Sequence, residues 1–155
     1  DEDFSSEITF GNTGEHFTPR DLYLIEFKEN VLFSKKSMEA EYDILAITLF
    51  IPADHPDNIL GIDIPVATFS YKELVEHVFR DNPDANWVNP FNDSENRNLE
   101  QAFETRLFTS YLIYISNPNN DYLVDLYGGD PEKGIMASQW KAFEMLENEQ
   151  YLWEY

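Results

Sequence analysis

The sequence has no cysteine. That excludes a disulfide framework, a thiolate metal site and a cysteine nucleophile, and it fits a cytoplasmic protein. Cations are scarce as well. Ten Lys and Arg face thirty Asp and Glu, for a formal charge of −20 over 155 residues. Lys35-Lys36 is the sole adjacent basic pair. Contacts to phosphate need clustered Lys and Arg, so direct binding to nucleic acid or to an anionic membrane is excluded. Long apolar runs are missing too. Stretches such as "ILAITLFIPA" from Ile44 fall far short of the roughly 20 residues of a membrane helix. No basic segment followed by an apolar one opens the chain, so no signal peptide is expected. The opening Asp1-Glu2-Asp3 leaves room for a removed leader.

Reaction motifs are absent in turn. The nucleophile elbow, the phosphate-binding P-loop, the zinc-protease His-Glu-x-x-His and the dinucleotide-binding glycine pattern do not occur. "YGGDPEKG" from Tyr127 has three glycines at a spacing that matches no phosphate loop, and Asp130 and Glu132 would repel phosphate.

What is present is a foldable composition. Apolar residues make up 43% and aromatics 15%, too much for a disordered acidic tail. With no repeat and no long linker, residues 1–155 read as one domain. A short strand is expected around Ile8 to Phe10. "TPRD" at 18–21 looks like a helix start, with Thr18 as cap, Pro19 first and Asp21 closing a capping box. "DLYLIEFKENVLF" then suits a helix or a strand pair turning at Lys28-Glu29-Asn30. "YDILAITLFI" from Tyr42 to Ile51 reads as a central strand buried on both faces. Pro52 to Pro65 is a loop. Ser70 with Glu73 starts a helix that Asn82-Pro83 stops. Another helix starts near Ser94. "LFTSYLIYIS", "NPNND" and "YLVDLYG" read as a hairpin. A final helix covers about Ile135 to Trp153. The mixed order predicts an α+β fold: a single domain with a largely antiparallel sheet and two to three helices packed on it.

Two groups of residues stand out. Asp54, His55, Asp57 and Asp63 crowd one Pro-rich loop, and hard oxygens with an imidazole suit a divalent cation. This motivates an alternative reading as a divalent-metal-dependent enzyme or metal-binding domain. Asn82, Asp84 and Asn86 resemble a calcium loop, but Trp87 stands where the turn needs glycine and Asp93 where it needs glutamate. No cofactor or metal is expected.

The second group lies on the last helix. At 100° per residue, Ile135, Met136, Ala142, Phe143, Leu146 and Trp153 gather as a core stripe. Beside them Trp140, Glu144, Glu147 and Tyr151 recur at i, i+4, i+7 and i+11. Aromatics alternating with carboxylates suit a cationic surface. The plainer alternative has Trp140 and Tyr151 sealing the core edge while the glutamates face water.

Acids without neighbouring cations extend that theme. Between Lys36 and Lys72 the chain carries Glu39, Glu41, Asp43, Asp54, Asp57 and Asp63 and no Lys or Arg. Glu39, Glu41 and Asp43 alternate ahead of the predicted central strand. Such a surface mimics a polyanion. The sequence therefore reads as a non-enzymatic acidic binding protein. The expected partner is a basic protein, a nuclease or DNA-binding protein, inhibited at its nucleic-acid-binding surface. A nuclease-toxin immunity protein and a viral DNA-mimic anti-defence protein share that physics.

Overall fold

The computed structural model describes residues 8–9, 16–34, 36, 39–89, 92 and 95–153. The chain forms two units, one of residues 1–30 and 42–85, the other of residues 31–41 and 86–155. The fold class is α+β, with antiparallel strand pairing and helices in both units.

In the first unit, β1 (Ile8–Thr9) pairs antiparallel with β2 (His16–Phe17). Pro19–Asp21 then make one 3-10 turn. The expected box forms: Asp21 Oδ2 accepts from the Thr18 amide at 2.7 Å and the Thr18 hydroxyl at 2.9 Å. No longer helix follows. β3 (Leu24–Ser34) runs unbroken through Lys28-Glu29-Asn30, where neither glycine nor proline turns the chain. β4 (Glu39–Ile51) is the centre of the three-stranded order β3-β4-β5, with β5 at Ile64–Ser70.

The β4–β5 register places Thr48 opposite Thr68, and their hydroxyls lie 2.9 Å apart. It slips between Leu49 and Phe50, where Phe50 pairs with Pro65. Pro65 has no N–H for the ladder, and an edge strand tolerates both the proline and the bulge. Burial on β4 is narrower than two full faces. Ile44 and Ile47 are buried on opposite faces and Ile51 is buried at the end, while Tyr42 and Leu45 are exposed.

α1 (Tyr71–Leu74) continues into a π turn over Val75–Phe79. Ser70 precedes it in extended conformation without a side-chain cap bond. Asn82 ends it, its Nδ2 donating to the Val78 carbonyl at 2.9 Å while its Oδ1 accepts from the Asp84 amide at 3.0 Å. The calcium-loop resemblance ends there, because Asn82 is spent on the chain itself and Asn86 lies in a strand.

In the second unit, β6 (Asn86–Val88) pairs antiparallel with β7 (Asn96–Asn98). Arg97 pairs with Glu95 at 2.9 Å, and that bond holds the Glu95 carboxyl below its usual range. Ser94, the expected helix start, lies outside the described residues. The helix that follows is α2 (Leu99–Glu104), capped by Asn98 Oδ1 accepting from the Glu100 amide at 2.8 Å.

The expected hairpin after it is corrected. Residues 107–122 reverse direction but carry no strand. The second arm coils into α3 (Leu123–Leu126). Asn117 makes the reversal with its side chain. Its Nδ2 donates to the Ile115 and Asp121 carbonyls at 2.9 and 2.8 Å, and its Oδ1 accepts from the Asp121 amide at 3.0 Å. These bonds take the place of a ladder.

α4 (Pro131–Trp153) closes the chain and packs against α3. Its inward side is a second correction. Ala137 and Ser138 are buried, whereas Ile135, Met136, Phe143 and Leu146 of the expected core stripe are exposed; the Trp153 side chain lies outside the described residues. The cause is the approach of Val124. A Cβ added at Gly134 would lie 3.0 Å from Val124 Cβ and 3.3 Å from its Cα. Helices that come this close need small residues at the contact, so the large ones turn outward.

Candidate functional site

The acidic loop of the first unit is built from the inside. Asn58 is buried. Its Nδ2 donates to the carbonyls of Pro52 and Ile62, both at 2.8 Å, and its Oδ1 accepts from the Leu60 amide at 3.2 Å. The loop thus closes on one side chain. Gly61 sits at φ 63°, and a Cβ there would meet nothing within 4 Å, so glycine serves the backbone angle and not the space.

The predicted ligands are spent on the same construction. Asp63 Oδ1 accepts from the Ala53 amide at 2.7 Å, and Asp54 Oδ1 accepts from the Tyr23 hydroxyl at 3.1 Å. Burial and the Asp54 carboxylate push the Tyr23 phenol above its usual value. His55 Nδ1 accepts from the Asp57 amide at 3.2 Å, so its proton belongs on Nε2, which faces Asp21 Oδ1 at 3.3 Å. Bonds from Thr18 hold the Asp21 carboxyl below its usual range, with His55 adding to the effect. A metal would need the imidazole lone pair that the Asp57 amide already occupies. Among the described residues no group of three or more His, Asp or Glu is disposed to hold a metal ion.

The construction has an unexpected outer surface. Ile59, Leu60 and Ile62 are 81%, 69% and 61% exposed. Sequence reasoning passed over them because "NILGI" was read only as part of a Pro-rich loop. An apolar triplet between two Asp residues was the available signal.

In the second unit, the residues read as a grip on α4 lie on its outer side. Trp140 and Tyr151 are 66% and 63% exposed. Glu147 is exposed, and half-buried Glu144 accepts from Lys141 Nζ at 2.7 Å. That bond raises the Lys141 pKa. With the displaced stripe, Ile135, Met136, Trp140, Phe143, Leu146 and Tyr151 share a sector of about 160° over about 24 Å of helix. The face is mainly apolar, with Glu147 as a charge toward one edge of it.

Glu39, Glu41 and Asp43 share one parity along β4, and Glu41 and Asp43 are exposed. Asp54, Asp57 and Asp63 belong to the first unit and the α4 quartet to the second. Each unit is therefore an acidic scaffold that presents large apolar side chains to water.

A protein of that kind is defined by what it meets. A family model described as gliding motility associated protein GldN matches residues 2–154, and the chain belongs to that family. Comparisons with curated proteins and with solved structures found no match.

Membership corrects the reading drawn from charge. A gliding-motility family overturns both the nuclease-toxin immunity protein and the viral DNA mimic, together with the nuclease or DNA-binding partner they required. It gives no support to the divalent-metal enzyme on the Asp54 loop. It overturns the cytoplasmic placement as well, because gliding must transmit force to the outside of the cell. The misreading has a physical origin. Net charge restricts which partners are tolerated, but it does not select among those that remain.

Proposed function

We propose that the chain is a non-enzymatic assembly component of the cell-envelope apparatus for gliding motility and its associated protein secretion, working by docking to other proteins of that apparatus. The observation that carries this is the outer face of α4. Six large apolar side chains stand in water along one side of a helix whose opposite side is already packed on α3. Monomeric soluble proteins rarely expose contiguous apolar area of this extent unless it meets a partner. A helix presenting anchors at such spacing suits a groove, with Trp140 and Tyr151 as aromatic anchors and Glu147 meeting a cation at the rim.

The test replaces Trp140 and Phe143 together by serine in a gliding host that carries this chain. Both side chains are exposed, so the melting temperature of the purified variant stays close to the native one. Gliding is expected to be lost. Native gliding by a host whose variant protein is folded and present at native level would overturn the proposal.

A further inference from the structure

We propose that the Ile59-Leu60-Ile62 tip is a preformed plug for an apolar pocket rimmed by Lys and Arg on another protein. This goes beyond the reading of α4. It concerns a different unit and a different surface, and it stands whether or not α4 docks.

Three observations meet at the tip. The first is exposure: three branched aliphatic side chains within four residues of chain stand in water, in a loop otherwise rich in carboxylates. The second is preparation. Asn58 ties Pro52, Leu60 and Ile62 together, Asp63 holds the Ala53 amide, and Gly61 supplies the positive φ that turns the chain between Leu60 and Ile62. Much of the ordering that binding demands of a loop is therefore complete before a partner arrives. Nothing in this bonding requires Ile or Leu at the outward positions, because every bond uses backbone atoms of those residues.

The third is charge. Asp54, Asp57 and Asp63 are exposed around the tip, and residues 37–71 contain no Lys or Arg. An apolar pocket without cations would strip water from these carboxylates and leave their charge uncompensated. A cationic rim pairs them and speeds encounter. The same charges exclude two other occupants. A second copy would bring −20 against −20, with like carboxylates around both tips. An anionic bilayer would repel the rim that must approach its headgroups.

The experiment places a benzophenone photo-crosslinking amino acid at Leu60 in the full chain, expressed in a gliding host, with exposed Lys72 of the same unit as the control position. The expected result is an adduct from position 60 to one protein species. The attachment peptide should be apolar and flanked by Lys or Arg. Its yield should vanish with Ile59→Ser plus Ile62→Ser and fall several-fold with Asp57→Lys. The loop uses the Asp57 amide, which donates to His55, and among the described residues the exposed Asp57 carboxylate accepts no bond, so Asp57→Lys is expected to melt as the native protein does and remains readable even where the serine pair loosens the fold. Attachment to phospholipid, to another copy of this chain or to a peptide without cations would overturn the proposal. So would equal yield from Lys72, no adduct at all, or a yield indifferent to Asp57→Lys.

Discussion

Asn58 and Asn117 do the same work in different units. Each donates its amide hydrogens to two backbone carbonyls of its own loop and accepts one backbone N–H in return. The loops differ in where they send their apolar residues. The Asn117 turn exposes Pro118, Asn119 and Asn120, and then delivers Leu123 and Val124 inward. Leu123 is buried, and Val124 closes on Gly134 of α4. The Asn58 loop instead directs Ile59, Leu60 and Ile62 into water. The same device thus yields a polar tip in one unit and an apolar tip in the other, so the apolar tip is no by-product of building a loop around asparagine.

The largest expected effect comes from breaking the buried member of the pair. Asn58→Ala removes three bonds made by a buried side chain, takes from the Ile62 carbonyl its Asn58 donor and leaves the Pro52 carbonyl with the His55 amide alone. At about 1 kcal/mol for each bond, the loss is about 3 kcal/mol in urea unfolding of the full chain. Asn117→Ala removes an equal number, but Asn117 is half-buried and water can replace part of what is lost. About 2 kcal/mol is expected there. Equal losses at the two sites would remove the distinction between a sealed loop and a wet one.

Gly134→Ala probes the inward route. Helix propensity alone predicts stabilisation by about 1 kcal/mol. Contact with Val124 predicts the reverse, because the new methyl must push backbone as well as side chain. Overpacking typically costs 1–3 kcal/mol, so a net loss of about 1 kcal/mol is expected. Adding Val124→Ala should recover part of it. A gain in melting temperature from Gly134→Ala alone would show that α3 yields, and that α4 is free to be a better helix.

Much of the local structure was legible in the sequence, and the reasons for the failures are specific. The Thr18–Asp21 box, the central place of β4 and the helix over Ile135 to Trp153 follow from residue types acting on their own backbone, although α4 starts earlier than expected, at Pro131. The inward face of α4 was not legible. Hydrophobic periodicity assumes that large apolar residues face inward, and here a close approach reserves the inside for Gly134, Ala137 and Ser138. The hairpin failed for a related reason: "YLVDLYG" has strand composition, but Asn117 satisfies the turn without a ladder and frees the second arm to coil. For the candidate surfaces, Trp140 and Tyr151 were found by spacing. Ile59, Leu60 and Ile62 were missed because no short-range pattern tells a buried aliphatic from a displayed one. Family membership rests on a match along almost the whole chain, which no single motif carries.

The smallest effect concerns pH and the outer fabric of the first unit, where two carboxyls pull in opposite directions. Bonds from Thr18 lower the Asp21 pKa, so Asp21 adds stability above the ordinary aspartate value of 3.8, and that contribution is lost as pH falls through the lowered folded value. Desolvation on β3 raises the Glu26 pKa above 4.5. A raised acid binds more protons folded than unfolded between its two values, so stability declines as pH rises through that interval. Glu26→Gln removes this term. The variant should melt slightly above the native protein at pH 7, and the difference should shrink as pH falls toward 4.5 and vanish below it. Asp21→Asn should melt below native at pH 7 and converge with it only in stronger acid. Thermal melts of the three proteins from pH 3 to pH 7 separate the cases. If Glu26→Gln melts below native at pH 7, then the charged carboxylate is favoured by an attraction in the fold, and desolvation is not what sets its titration.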